Sequence, residues 1–511
     1  MNLFDRLQRH LDAGVVGFPM ALASSVGVIL ASPVILTVTT GFGLGGGAFA
    51  AAMAAALFMM LCQSFTFAEA MSILPTSGSV YDYISCGLGR CAAITGTMAA
   101  YFLVHVFAGT AETILSGIMA TVNFDALQAW LDRSNSAWLV GVGLVATFGV
   151  VNLLGITAFS RAEIFLTGFM WSTLSVLSLP GILSAPAGAL DGIYGKAADA
   201  SPARILPFVG MAMFMFVGCE LVTPLAPEMK RAARNIPRAM ALGLSLVALL
   251  MYTYGAAVCR QVPNEAVDAR ATVRILETPQ AIPALAARVM GPLGKIWIGI
   301  AFLFAGAATL NTLTAALPCI LYGMALGGAL PGIFTRLHPH FKTPVAGILV
   351  AVTVPISHAW YLKGNVDKIM NLVLAAVCSW GIAYLLVTLS VVSLRIRRPD
   401  IPRPFRSPWF PLPQIVSSAG IVLGIAYTTP PGRNPRDIYL PFLAMLALTA
   451  LYALIWSVCV LKAHPFRPVP VERILEEEFE KNRLARAGGW GRRRRRQPFA
   501  LRCITHNGGM P

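Results

Sequence analysis

The stretch Ser24-Ser25-Val26-Gly27-Val28-Ile29-Leu30-Ala31-Ser32-Pro33-Val34 decides the fold. It is apolar enough to lie in hydrocarbon, yet it holds a proline that lacks the N–H its helix needs and collides with the carbonyl one turn back, and a glycine that adds backbone freedom. Such a helix opens near its middle. A second stretch, Phe216-Val217-Gly218-Cys219-Glu220-Leu221-Val222-Thr223-Pro224, repeats the pattern of glycine, four residues, Ser or Thr, then Pro. Opened backbone inside a membrane must line a polar cavity. The N-terminal end of a half-helix offers bare N–H groups and about half a positive charge, suited to a carboxylate, while a C-terminal end offers carbonyls to an ammonium. A solute that satisfies both ends is an amino acid. The candidate substrate-binding residues are therefore Gly27, Ala31, Ser32 and Pro33 in the first stretch and Phe216, Gly218, Cys219 and Glu220 in the second.

Working outward, only 12% of the 511 residues are charged and 56% are hydrophobic. Soluble domains carry about 25% charged residues, so an ordinary cytosolic enzyme is excluded. The apolar runs give an all-α integral membrane protein with twelve predicted spans, near 19–42, 46–70, 92–120, 137–154, 162–184, 204–226, 239–259, 293–317, 344–361, 367–393, 411–428 and 438–461. The two broken helices lead spans 1 to 5 and 6 to 10, so the expected organisation has five parts. These are an N-terminus (1–18), a first five-helix repeat (19–184), a second (204–393), helices 11 and 12 (411–461) and a disordered basic tail (462–511). No cationic start followed by a short apolar core and small-residue cleavage site opens the chain, so a cleaved signal peptide is not expected.

Positively charged short loops stay cytoplasmic. With the N-terminus inside, 15 Lys and Arg fall on inner loops and 12 on outer ones, leaving 12 of the 39 in the tail. Both ends are then cytoplasmic, and the net charge of +16 is mostly topology. Arg492 to Arg496 accompany no nucleic-acid-binding module and suit anionic lipid. Nine cysteines form no C-x-x-C pair, so neither a disulfide framework nor a metal site is expected. A phosphate loop, His-Glu-x-x-His and Gly-x-Ser-x-Gly are all missing from the sequence, which leaves no nucleotide cofactor and no familiar enzyme chemistry. The Gly41 to Gly47 cluster reads as a flexible turn between the first two spans.

The acidic side chains singled out inside the spans are Glu69, Glu112 and Glu220, each needing a partner or a proton. Glu220 faces an ammonium, takes a coupling proton or caps freed amides of its own break. Glu69, near the inner end of span 2, suits an ion-pair latch with Arg90, Lys230 or Arg234, or simply ends its helix. Tyr101, His105, Ala108 and Glu112 repeat at spacings of four, three and four and so share one helix face. That face lines a proton path or makes fixed interhelical hydrogen bonds. Phe214 and Phe216 flank the second break as a gate or as packing, and Thr309 and Asn311 offer oxygens for a weak cation site or pack as a small-residue surface. His358, beside Trp360 and Tyr361, reads as interfacial.

These residues resemble the amino acid-polyamine-organocation permeases. The likeness rests on residues 27–33; on Glu69 followed by Pro75-Thr76-Ser77-Gly78-Ser79-Val80-Tyr81-Asp82-Tyr83; on Phe216 to Glu220 running into Pro227-Glu228-Met229-Lys230 and Asn235-Ile236-Pro237-Arg238; and on Asn311 with Leu321-Tyr322-Gly323-Met324. The resemblance covers about 15–460 and implies a five-plus-five inverted-repeat fold with discontinuous helices 1 and 6, the substrate between them, and helices 3, 8 and 10 around the site. The chain departs from the pattern twice. Ala31-Ser32-Pro33 stands where many relatives have Gly-Ser-Gly, and no lysine occurs in 162–184, where some proton-coupled relatives place one. The function expected is secondary active transport of an amino acid by alternating access, as symporter or exchanger. The alternatives are a polyamine or amine exchanger, favoured if Glu112 and Glu220 both face the cavity, and a non-transporting membrane sensor.

Overall fold

The computed structural model describes residues 14–121, 136–183, 201–262, 266–268, 273–278, 280–363, 365, 368–430 and 432–486. Residues 1–13 and 487–511, with the expected inside N-terminus and the Arg492 to Arg496 run, lie outside the described residues. The helices in chain order are α1 (Phe18–Gly27), α2 (Ser32–Gly45), α3 (Gly47–Ile73), α4 (Val80–Leu88), α5 (Arg90–Thr121), α6 (Trp138–Leu153), α7 (Ile156–Leu183), α8 (Val209–Phe214), α9 (Ala232–Gln261), α10 (Ala281–Met290), α11 (Pro292–Leu326), α12 (Val345–Leu362), α13 (Ile369–Arg397), α14 (Leu412–Ala426), α15 (Arg436–Ile455) and α16 (Val471–Arg486). Among the described residues, strand is confined to a two-stranded pair, Ala266–Asp268 with Val273–Arg274.

Nine of the described helices are long and apolar enough to cross a membrane, or ten with the bent pair α1 and α2 taken as one span. Two further apolar helices, α6 and α14, fall on predicted spans but have 16 and 15 residues, just under the usual membrane-spanning length of about 17 to 25. Three helices run well past their expected bounds, among them α7, which starts at Ile156 rather than 162. α9 starts at Ala232 rather than 239, and α11 ends at Leu326 rather than 317. Gly41, Gly43 and Gly45 are helical within α2, and the turn expected across that cluster reduces to Gly46 at φ +49°.

Burial ranks the helices by position. The span Pro202–Glu228, which holds the second break, has 83% of its apolar window buried, against 17% for Arg436–Val460 and 28% for α12. The broken segments are therefore central, and α12 and α15 form the apolar rim. At the bundle end carrying Arg395, the start of α1 is pinned to the end of the second broken span. Val15 and Val16 N–H donate to the Glu228 carbonyl at 2.8 and 3.0 Å, and Lys230 N–H donates to the Val16 carbonyl at 2.8 Å. Ser79 and Thr223 hydroxyls meet at 2.7 Å beside them.

The tail begins in ordered structure rather than disorder. Val469 N–H donates to the Ser85 carbonyl, and Val471, Ile474, Leu475 and Phe479 of α16 are buried. Their spacing puts one apolar stripe on a polar helix. Arg398 pairs with Glu472 at 2.7 Å and with Asp400 at 2.9 Å, which ties α16 to the end of α13.

Candidate functional site

The first break follows from local chemistry. α1 ends at Gly27, Leu30 N–H turns back to the Val26 carbonyl, and Ala31 is extended at φ −70°, ψ 153°. α2 then restarts at Ser32 with Pro33 in its first turn, where the missing N–H has no intrahelical partner to lose. Pro33 is thus the first-turn residue of the second half and not a kink within one rod, and the halves meet at 54°. Gly27 is required by contact. A Cβ there would lie 2.1 Å from Glu163 Oε1 and 2.6 Å from Thr167 Oγ1.

The second break lies between α8 and a tight 3-10 segment, Cys219–Glu228, that contains Pro224 and Pro227. Gly218 takes φ +108°, a region costly for any other residue. A Cβ at Gly218 would come within 2.9 Å of Val28, so the two breaks touch. Gly218 N–H donates to Glu220 Oε2 at 3.1 Å and to the Tyr384 hydroxyl at 3.2 Å. Tyr384 in turn donates to the same carboxylate oxygen at 2.5 Å. Glu220 therefore accepts from its own opened backbone.

Glu112 of α5 does the same for the first break. Ser32 N–H donates to Oε2 at 3.0 Å and Ser32 Oγ to Oε1 at 2.6 Å, with Glu112 only 1% exposed. The helical face expected for Tyr101, His105, Ala108 and Glu112 does not persist as a straight stripe. Residues 98–103 and 105–109 adopt wider π turns, which shift the register. His105 Nε2 reaches the Ala351 carbonyl on α12 at 2.5 Å, away from Glu112, while Tyr101 is buried. His358, expected at an interface, is bonded to the Val106 carbonyl at 3.0 Å and to Thr110 at 3.2 Å.

One cavity lies between the breaks. Val28, Ala31, Pro33, Val34, Ala108, Glu112, Phe214, Val217, Thr309, Leu313 and Trp380 line it. Of the residues singled out from sequence, Ala31, Pro33, Ala108, Glu112, Phe214 and Thr309 are brought together there, and Ser32 joins them through Glu112. Phe216, Gly218, Cys219 and Glu220 are buried behind that lining. The space is about 20 Å³, enough for a water and too little for an amino acid. Thr309 Oγ1 donates to the Gly27 carbonyl at 3.3 Å, while Asn311 Nδ2 donates to Glu163 Oε2 at 2.7 Å.

Glu163 is the site residue that sequence reasoning missed. It is the second residue of the span expected at 162–184, but α7 starts at Ile156, so Glu163 sits two turns inside and is fully buried. Its signal was an acidic residue within an apolar run, facing the glycine that opens α1. Asn152 completes the cluster by donating to Asn311 Oδ1 at 3.1 Å. Glu69 forms ion pairs, with partners other than the expected Arg90, Lys230 or Arg234. Arg395 grips it at 2.7 and 2.6 Å, Ser407 N–H adds 2.9 Å, and Arg403 stands at 3.3 Å. Among the described residues no group of three or more His, Cys, Asp or Glu could hold a metal ion.

Residues 16–455 match the family model described as amino acid permease. Similar curated proteins include the branched-chain amino acid permease BcaP of Bacillus subtilis (strain 168), 22% identical over 445 residues that cover 80% of this chain and 85% of that one. The methylthioribose transporter of the same organism is 25% identical over 407 residues, 77% of this chain and 82% of that one. Among solved structures, a substrate-bound, outward-open Na+-coupled sialic acid symporter aligns with a TM-score of 0.49 at 13% identity, covering 83% of this chain and 96% of that chain.

Proposed function

This chain belongs to the amino acid permease family, and from that premise we propose that it is a secondary active transporter that holds a neutral amino acid with an aliphatic side chain between its two broken helices. The observation that carries this reading is the shared cavity, to which the first break gives Val28, Ala31 and Pro33 and the second gives Phe214 and Val217. The lining is apolar apart from Glu112, Thr309 and the Trp380 indole, and it includes no lysine or arginine. Such a wall suits an uncharged, apolar side chain. The cavity must widen to admit the solute, so α1 and the 219–228 segment part from their present contact during transport.

The twelve-span count is reached by adding α6 and α14 to the ten described spans, and the inverted repeat rests on the matched breaks. The excess of basic side chains at the Arg395 end supports cytoplasmic termini in a cell membrane. An exchanger of amines without a carboxylate is favoured if Glu112 and Glu220 both face the cavity, and Glu220 instead bonds to Gly218 and Tyr384 behind it, which supports the amino acid reading. Counterflow tests the proposal. Proteoliposomes loaded with unlabelled leucine, valine, glutamate, lysine or putrescine are placed in labelled leucine. Leucine and valine drive label inward, and the charged solutes do not. A vesicle that binds leucine and never accumulates label identifies a sensor.

A further inference from the structure

We propose that Glu112 occupies the seat of the substrate's carboxylate and yields it only by taking up a proton, so that amino acid binding and proton binding are one event. This rests on the reading that an amino acid binds between the breaks. Ser32 begins α2, a 14-residue helix whose first N–H groups have no intrahelical partner and whose dipole favours an anion. A solute carboxylate entering the cavity would seek that N–H. Glu112 already holds it, together with the Ser32 hydroxyl, from a position on the cavity wall. Two carboxylates in one cradle do not both stay ionised.

No cation reaches this carboxylate from the helices packed on α5. On α5 itself, His105 is turned to the Ala351 carbonyl. On α12, His358 bonds Thr110 and the Val106 carbonyl, and Tyr361 is exposed. On α11, Lys295 lies in the first turn, roughly 16 Å along the helix axis from Gly306 opposite Glu112, and Tyr322 and Cys319 lie beyond Thr309. On α13, Tyr384 is bonded to Glu220, Cys378 to Thr428, Arg395 to Glu69 and Arg397 to the Gly87 carbonyl. α2 and α6 carry no Asp, Glu, Lys, Arg or His. Glu112 therefore has no side-chain cation on these helices to take its charge when Ser32 is given up, and a proton supplies that need.

The step balances simply. A proton from the aqueous phase that supplies the substrate joins a Glu112 carboxylate oxygen. The neutral acid releases Ser32 N–H, and the incoming carboxylate accepts it. After the substrate leaves on the other side, the proton follows and Glu112 recaptures Ser32. No covalent bond other than that O–H forms or breaks.

The test is the leucine accumulation ratio in proteoliposomes of the full chain under an imposed pH gradient, a ratio that does not depend on turnover rate. Wild type accumulates roughly tenfold more label per unit of inside-alkaline gradient, as one-to-one coupling requires. Glu112→Gln, which keeps the shape of the protonated acid, loses that response, and Glu112→Asp regains it. Gradient-driven accumulation by Glu112→Gln overturns the proposal. If that variant is inactive, a pH dye trapped in wild-type vesicles decides: leucine entry acidifies the lumen one proton per leucine, and entry without acidification is contradictory. Isoamylamine, which is leucine without its carboxylate, fails to compete; competition equal to leucine overturns the assignment. Leucine counterflow without a pH response defeats this proposal alone, whereas no leucine counterflow in wild type defeats the amino acid reading and this proposal with it.

Discussion

Gly27 and Glu163 show how much one atom decides at the first break. A methyl group on Gly27 would overlap the Glu163 carboxylate, so Gly27→Ala pushes that side chain off Asn311 and breaks their 2.7 Å hydrogen bond within a buried polar cluster. The expected cost is about 2 to 4 kcal/mol, read as a lower thermal midpoint in detergent, and Glu163→Gln in the same background recovers part of it. Glu69 makes a second residue-scale case. It is fully buried, gripped by Arg395 through two hydrogen bonds and approached by Arg403, itself 4% exposed. Removing Arg395 leaves the buried carboxylate to Arg403 and the Ser407 N–H, so Arg395→Ala destabilises by less than the loss of a sole partner would, up to about 3 kcal/mol. The double variant Arg395→Ala with Glu69→Gln loses less than Arg395→Ala alone, and a loss equal to the sum of the single variants contradicts the pairing.

At the scale of elements, the two openings were legible because their cause is local. Glycine and proline act on their own backbone, so Gly27 with Pro33 and Gly218 with Pro224 marked the breaks before any packing was known. The partners of the buried carboxylates were not legible, because chain separation hides them. Glu163 and Asn311 lie 148 positions apart and Glu69 and Arg395 lie 326 apart. The π turns of α5 escaped for another reason: nothing in Met98 to Gly109 breaks a helix, and packing alone sets the wider turns. The docking of α16 makes an element-scale prediction. Its hydrogen-bonded partner Arg398 holds the Glu472 carboxyl below the usual carboxylate range and does the same for Asp400. A depressed folded-state value adds stability above the ordinary range and loses it as pH falls through the folded value. Limited proteolysis at the α15–α16 connection is therefore slow at neutral pH and quickens on acidification below the ordinary carboxylate range. Arg398→Ala cleaves faster at neutral pH and flattens that dependence, a small effect because solvent screens so exposed a cluster.

For the whole molecule, the arrangement places two opened helices at the most buried position, closes them together at the Arg395 end through Val15, Val16 and Glu228, and surrounds them with apolar helices that face lipid. The all-helical membrane architecture was written in the hydropathy pattern, while the size and lining of the cavity came only from the packing of segments far apart in the chain. Equilibrium binding of labelled leucine to the purified protein, with Ala31→Trp beside wild type, tests the central claim most directly. Ala31 faces the cavity from the extended residue between α1 and α2, so an indole there fills the space that the solute needs. Saturable binding by wild type that disappears in Ala31→Trp, at an unchanged elution profile, is the result this account predicts. Undiminished binding by Ala31→Trp would place the solute elsewhere and contradict it.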